Sequence, residues 1–346
     1  MWDSHSWLCS FASPSEPAAI INERTPPPPP SLPSSRPPHT NPFLLYGLIG
    51  FAMLIWAFNY PVAKFGYREV DGLTLGSLRV LIAALFAIPV HVFYRRRHPP
   101  RRPLSHRDYW ILACLGFFLA FNQGLFIYGL SYTTVGHSAL IIAIGPVNIL
   151  LLAVAVGLER LTFNKVAGIL IAFAGVALLA AGHGFGSHDP TLRGDLMTLG
   201  GSLAFAAYAI IGKRVTSHFD TMTLTAWPFY FGALVFSPLA FHQIASTDWT
   251  RVRWIGWGAL LYVGLGASLA GYLIWMWAIH HLAASRMGVF TYVQPLLGTV
   301  IGVYLLHEEY TGQLMLSGIL VLTGVALTEL HPRGTEAEDE TSGELS

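Results

Sequence analysis

The sequence predicts an all-α membrane protein with ten transmembrane helices arranged as two inverted five-helix repeats. Of its 346 residues, 53% are hydrophobic and only 11% are charged, whereas about 25% of the residues in a soluble domain are charged. Ten mostly apolar segments follow one another, and a helix of about 20 such residues crosses the hydrocarbon of a bilayer. The sequence also matches itself without a gap when it is shifted by 149 residues.

The apolar segments are separated mostly by short gaps, so we expect no loop to fold as a separate domain. They span about 43–64, 72–94, 109–130, 135–157, 163–182, 195–213, 222–244, 254–279, 285–306 and 310–330. A soluble helical protein would instead need polar faces on most of its helices. The segments therefore indicate a protein whose surface mostly faces lipid.

The internal repeat is clearest where Pro146 matches Pro295 and Glu159 matches Glu308. Other matches in the same register are Lys64 with Lys213, Asp71 with Asp220, Thr74 with Thr223, and Gly175 to Leu178 with Gly324 to Leu327. Because each unit holds five segments, an odd number, the second unit must cross the membrane upside down. Inverted repeats of this kind are characteristic of secondary transporters, which bind substrate near the midplane between the halves.

The two ends of the chain differ in composition from the repeats. Residues 1–41 include the run Pro26–Pro30 and are predicted to form a disordered Pro-rich tail. Their start lacks the basic and apolar regions of a signal peptide, and whether they are the true N-terminus is left open. Residues 331–346 form an acidic tail that we expect to be disordered. The first repeat is assigned to 42–183 and the second to 190–330.

The distribution of basic residues predicts the orientation in the membrane. With the N-terminus in the cytoplasm, the inner loops hold twelve Lys and Arg residues and the outer loops five, as the positive-inside rule requires. We therefore expect a multi-pass protein of the cytoplasmic membrane with both termini in the cytoplasm. The net charge of +1 gives no reason to expect nucleic acid as a partner; the expected partners are the lipid bilayer and a small-molecule substrate.

Polar and aromatic side chains inside the segments are the candidates for a substrate site, because buried polar groups in lipid need partners. The predicted substrate-binding residues are Trp56, Asn59, Arg79, Asn122, Gln123, Tyr208, Tyr272 and Trp275. Arg79 is the basic residue that lies well inside a segment, and an intramembrane charge is by default a functional candidate. A structural or gating role, direct substrate contact and snorkelling toward the interface all stay open for it.

Four further residues are candidates for kinks and gates. Pro146 and Pro295 occupy matching positions, and a proline inside a helix removes a backbone hydrogen bond, so both are predicted to kink helices beside the cavity. Glu159 and Glu308 lie at matching helix ends, where they either cap the following helix or act as gates. No Asp or Glu lies in the middle of a predicted segment, which disfavours a proton relay through carboxylates. No catalytic residue, metal site or cofactor is predicted.

These features together resemble the EamA family of the drug/metabolite transporter superfamily. The resemblance covers about residues 43–330 and includes the run Leu54 to Asn59, Leu78-Arg79, and Pro146 with Gly157 to Thr162. It implies a ten-helix carrier that works by alternating access and moves small metabolites, including amino acids, often outward. The second half departs from the pattern at Pro228, which matches Arg79.

The predicted function is a secondary active transporter, with efflux as the expected direction. No ATP-binding GxxxxGK[ST] motif is present in the sequence, so transport would depend on a gradient, on exchange or on the substrate's own concentration. The alternatives are an intramembrane enzyme acting on a lipid and a passive channel. Substrate identity, coupling ion, direction and oligomeric state stay open, including a homodimer supported by the fifth and tenth helices.

Overall fold

A computed structural model describes residues 42–99, 102–157, 159, 161–181, 190–281, 293–307 and 311–329. Their helices are α1 (Pro42–Gly66), α2 (Gly72–Arg97), α3 (His106–Leu130), α4 (Val135–Ala143), α5 (Gly145–Ala155), α6 (Phe163–Ala181), α7 (Pro190–Val215), α8 (Thr221–Ser246), α9 (Trp254–Leu261), α10 (Gly271–His281), α11 (Val293–Leu306) and α12 (Gly312–Glu329). A π-helical stretch, Tyr262–Ala270, joins α9 to α10. The predicted tails, 1–41 and 331–346, lie outside the described residues.

The described residues are helical and contain no strand, which confirms the all-α membrane class. Seven helical stretches are long and apolar enough to cross a membrane, counting α4 with α5 and α9 with α10 as single stretches. The shorter helices α6, α11 and α12 fall in the remaining predicted segments. The number of crossings and the inverted relation of the halves stay predictions.

Helices α2 and α8, which match each other in the repeat, run antiparallel. The Asp71 carboxylate accepts a hydrogen bond from the Thr74 backbone at 2.8 Å, and the Thr74 hydroxyl lies 3.0 Å from Gln243 Oε1 near the end of α8. At the other end of the pair, Asp220 and Thr223 form the matching cap. An arginine from the last turns of α2 contacts this second cap. We call the two ends of the bundle the Asp71 end and the Asp220 end.

The contact at the Asp220 end is ionic. Arg95 Nη2 lies 3.4 Å from Asp220 Oδ2, and the same nitrogen donates a hydrogen bond to the Thr223 hydroxyl. The equivalent contact at the Asp71 end uses the neutral amide of Gln243. The N-terminus of each helix is thus tied to the C-terminus of its counterpart, once by a charge and once by an amide.

Helices α6 and α12 cross at glycines, and this pair is also antiparallel. A Cβ at Gly168 would lie 2.5 Å from the Gly324 carbonyl oxygen, and one at Gly175 would lie 2.9 Å from that of Ser317. Gly168 matches Ser317 and Gly175 matches Gly324 in the repeat. Replacing each residue by its repeat counterpart therefore turns the first contact into the second. Lipid does not drive helices together as water does, so small residues permit this close approach.

Two helical stretches are locally irregular. The fourth predicted segment breaks at Ile144, which has turn geometry between α4 and α5, and Pro146 lies in the first turn of α5. The eighth segment contains the π-helical stretch Tyr262–Ala270, and π geometry inside α-helices frequently marks functional sites.

The loops at the Asp71 end are joined by an ion pair. Arg253 donates from Nε and Nη2 to Glu69 Oε1 at 2.9 and 2.7 Å, and its backbone nitrogen donates to Oε2 at 3.0 Å. These hydrogen bonds lower the pKa of the Glu69 carboxyl below its ordinary value. The loop after α1 is thereby fixed to the start of α9.

We expect Gly324→Ala to destabilise the protein. The added Cβ would lie 2.4 Å from the Ala172 backbone nitrogen, so α6 and α12 must separate, at about 1–3 kcal/mol. The matched control is Gly50→Ala, because a Cβ there meets nothing within 4 Å and Ala favours helix by up to about 1 kcal/mol. Thermal unfolding in detergent measures both. An equal midpoint for the two variants would contradict tight packing of α6 against α12.

We expect the Glu69–Arg253 pair to make stability depend on pH in acid. Because its folded pKa is lowered, Glu69 stabilises the fold above its unfolded pKa of about 4.3, and this stabilisation is lost as pH falls through the folded value. In thermal unfolding in detergent, the wild type should therefore have a higher midpoint than Glu69→Gln at about pH 7. This difference in midpoint should shrink below about pH 4. Arg253→Gln should lose the same pH dependence, and a constant advantage down to about pH 3 would contradict the assignment.

Candidate functional site

A hydrogen-bonded cluster joins α2, α3 and the π-helical stretch inside the bundle. The guanidinium of Arg79 donates from Nε to Ser268 Oγ at 3.0 Å. The Ser268 hydroxyl in turn has two acceptors within reach, Gln123 Oε1 and the Val263 carbonyl oxygen at 2.6 Å. Arg79 is only 3% exposed. It therefore faces the interior and does not snorkel, and its hydrogen-bond partner among the described residues is a hydroxyl and not a carboxylate.

The neighbouring residue on α3 extends the cluster to the second half of the chain. Asn122 Nδ2 donates to the Gly201 carbonyl oxygen of α7 at 2.9 Å, and Asn122 Oδ1 accepts a hydrogen bond from the Tyr272 hydroxyl of α10. Because the amide uses both its donor and its acceptor, it fixes α3 against two helices at once. Asn122 and Gln123 are adjacent amides inside a predicted apolar segment, and both lie here.

Aromatic rings form the other wall of the cluster. The Trp56 ring centroid lies 5.7 Å from that of Tyr272, 5.6 Å from that of Trp275 and 6.4 Å from that of Phe205. Tyr208 stacks edge-on to Tyr272 at 5.7 Å. Such ring pairs stabilise one another beyond the area they bury. The structure thus brings seven of the eight predicted substrate-binding residues into one cluster.

Arg79 and Gln123 lie well inside their helices, about a third of the way in from the Asp71 end. Arg79 follows the helix-capping Asp71 by eight residues, a rise of about 12 Å along an α-helix. Gln123 precedes the end of α3 at Leu130 by seven residues, a rise of about 10 Å. Both residues are therefore more than one helical turn away from the loops at the Asp71 end.

The π-helical stretch shapes this wall of the cluster. The Trp56 indole nitrogen donates to the Ala267 carbonyl oxygen at 2.8 Å. This approach requires glycine at position 271, because a Cβ there would lie 2.5 Å from the same indole nitrogen. Gly271 therefore opens the space that the Trp56 ring occupies.

Several polar atoms in the cluster are buried and have no hydrogen-bond partner among the described residues. They are Arg79 Nη1, Gln123 Nε2, Trp275 Nε1 and the Tyr208 hydroxyl. Asn59 is the remaining predicted substrate-binding residue. It lies one turn beyond Trp56 on α1, and its Oδ1 is also buried without a partner among the described residues. Unsatisfied buried groups of this kind are costly. They are the groups that a polar ligand would satisfy.

Of the four predicted kink and gate residues, Pro146 and Glu159 have described side chains, and neither takes part in the hydrogen bonds or ring contacts of the cluster given above. Pro146 coincides with the break between α4 and α5. Glu159 is exposed and accepts a hydrogen bond from Lys165 Nζ at 2.7 Å. Pro295 belongs to the first turn of α11, and Glu308 lies outside the described residues.

A buried carboxylate was missed in the sequence. The helix that holds Asp195 begins at Pro190, five residues before the predicted segment, so Asp195 is inside α7. Its Oδ2 lies 2.9 Å from His137 Nδ1, and its Oδ1 accepts from the Thr133 hydroxyl at 2.6 Å. This contact joins α4 to α7 at the Asp71 end. The described residues hold no group of three or more His, Cys, Asp or Glu side chains placed for a metal ion.

Comparison with known proteins identifies the family. The EamA-like transporter family matches residues 44–181 and again residues 192–330. The chain belongs to the EamA-like transporter family. It is thus a multi-pass membrane protein of a family of transporters and not of enzymes.

Individual relatives are distant but extend over nearly their whole length. An uncharacterized transporter of Archaeoglobus fulgidus is 27% identical over 81% of this chain and 96% of its own length. The "Probable amino-acid metabolite efflux pump" of Escherichia coli strain K12 is 26% identical over 82% of this chain and 94% of its own. One solved crystal structure of a protein is 22% identical with a TM-score of 0.58, covering 82% of this chain and 97% of that protein, which supports the fold alone.

Two members of the cluster were not predicted. Ser268 is a small polar residue in an apolar segment, and its position gives no sign that it would lie between Arg79 and Gln123. Phe205 could have been predicted, because it matches the predicted site residue Trp56 in the repeat register. The two rings make a T-shaped contact in the structure.

We expect Gly271→Ala to disrupt the cluster, because its Cβ displaces the Trp56 indole and breaks the hydrogen bond to Ala267. The loss of stability should be about 1–3 kcal/mol, with a change in tryptophan fluorescence. Gly266→Ala is the matched control in the same stretch, since a Cβ there would meet Tyr262 at an ordinary 3.7 Å. Thermal unfolding monitored by fluorescence measures both, and equal behaviour would contradict the role of Gly271.

Proposed function

We propose that this protein is a secondary active transporter that moves small organic metabolites, such as amino acids or related compounds, across the cytoplasmic membrane by alternating access. Efflux is the proposed direction. The proposal includes ten transmembrane helices in two inverted halves, 42–183 and 190–330, with both termini in the cytoplasm. The two ranges that match the family, 44–181 and 192–330, fall within these halves.

The exchanged contacts of counterpart helices support the inverted arrangement. An inverted repeat makes matching helices antiparallel wherever they meet, and both α2 with α8 and α6 with α12 meet in this way. A contact between one residue and its own counterpart lies close to the axis that relates the halves. Trp56 and Phe205 form such a contact, so we place the axis near the candidate site.

The observation that carries the proposal is the buried cluster between the two halves. It combines one cation, two amides and several aromatic rings well inside the helices, and leaves polar atoms unsatisfied. A buried polar atom without a partner is costly, and a bound polar ligand would offset that cost. The name of the E. coli relative as an amino-acid metabolite efflux pump supports the proposed substrate class and direction.

The test is uptake into liposomes that contain the purified full-length protein, using pooled radiolabelled amino acids and metabolites with and without a pH gradient. We expect saturable flux that is lost in Asn122→Ala and Arg79→Ala. The control is Asn164→Ala, which removes a half-buried amide at the start of α6, far along the sequence from the cluster, and should retain flux. Non-saturable flux would indicate a channel, and equal flux in all three variants would reject the site.

A further inference from the structure

Among the described residues, the charge of Arg79 has no compensating carboxylate in the candidate site. The titratable side chains that interact electrostatically with its guanidinium are the phenols of Tyr67 and Tyr272. A phenol is neutral at physiological pH because its ordinary pKa is about 10. Among the described residues of the cluster, the direct hydrogen-bond partner of Arg79 is the Ser268 hydroxyl. The site therefore carries a net positive charge.

The unsatisfied groups of the cluster are mainly donors. Arg79 Nη1, Gln123 Nε2 and Trp275 Nε1 are N–H groups without partners in the described residues. A carboxylate offers only acceptors when it is ionised, and an arginine binds it with short, charge-assisted hydrogen bonds. The arrangement thus complements an anion in both charge and hydrogen-bonding capacity.

The aromatic wall complements an apolar body of limited size. The rings of Trp56 and Phe205 contact each other, and each also contacts the rings of Tyr272 and Trp275. Aromatic rings pair favourably in offset and edge-on geometries. A ligand whose carboxylate meets Arg79 would place its apolar part against these rings. This part of the site has no charged group among its ring members.

We propose that the site selects a monoanionic carboxylate with an aromatic or apolar body. The inference rests on the proposed function and narrows its substrate class to the related compounds that carry one carboxylate and no ammonium group, so zwitterionic amino acids fall outside it. One carboxylate neutralises the charge of Arg79, whereas a dianion would leave one buried negative charge uncompensated. A zwitterion would bring an ammonium group that finds no carboxylate in the cluster, and the aromatic faces would compensate only part of its desolvation.

The test compares five ligands that share a phenyl body and differ in charge. They are 3-phenylpropionate, 3-phenylpropanamide, phenylalanine, 2-phenylethylamine and phenyl phosphate, titrated by calorimetry into the full-length protein in lipid nanodiscs. We expect the propionate to bind about ten- to a hundredfold more tightly than the amide, which is the usual difference for a charged hydrogen bond. The zwitterion, the cation and the dianion should all bind more weakly than the propionate.

The variants separate the role of Arg79 from its effect on folding. Arg79→Gln should abolish the preference for the propionate over the amide, and Arg79→Lys should keep part of it. The matched control is Arg251→Gln, since Arg251 is an exposed arginine paired with Asp248, and it should leave the preference unchanged. The comparison of ligands on the wild type needs no variant, so a folding failure in Arg79→Gln leaves that test intact.

The outcomes test the inference and the proposed function separately. Equal or tighter binding of phenylalanine, 2-phenylethylamine or phenyl phosphate overturns the inference, as does the absence of binding by all five. Saturable liposome flux without an anion preference would retain the carrier and reject the anion site. Selective binding of the propionate without flux would retain the anion site and reject the carrier.

Discussion

The rest of the structure depends on one constraint, which is that hydrocarbon cannot hydrogen-bond to a buried polar group. Each polar side chain between the helices must therefore find a partner on another helix. Ser268 contacts both Arg79 and Gln123, while Asn122 joins α3 to α7 and α10. These bonds hold helices from both halves of the chain in one arrangement. The atoms that stay unsatisfied lie among the same residues, so the packing and the candidate site cannot be altered independently.

The two halves contribute different chemistry to that cluster although they share one fold. In the repeat register, Asn59 matches Tyr208, Gln123 matches Tyr272, and Arg79 matches Pro228. The first half supplies the amides and the cation, and the second half supplies most of the aromatic rings. The candidate site is therefore chemically one-sided, and a ligand bound there would meet different groups on its two sides.

Much of this arrangement could be predicted from the sequence, because apolar length and a fixed repeat spacing are strong signals. The polar residues inside apolar segments also predicted the cluster, because a buried amide or arginine needs a hydrogen-bond partner. The π-helical stretch could not be predicted, because its residues Tyr262–Ala270 read as an ordinary apolar helix. Asp195 was missed because the helix begins at Pro190, and helix starts are set by local capping that hydropathy does not show.

The two caps that tie α2 to α8 have a consequence for the response of the protein to salt. Arg95 and Asp220 are partly exposed, with side-chain exposures of 22% and 35%, so dissolved ions screen their attraction. The hydrogen bond between Thr74 and Gln243 joins two neutral side chains and is therefore much less sensitive to screening by salt. Raising the ionic strength therefore weakens the α2–α8 contact at the Asp220 end relative to the α2–α8 contact at the Asp71 end. The balance between these two contacts is set partly by the electrolyte on the side that the charged cap faces.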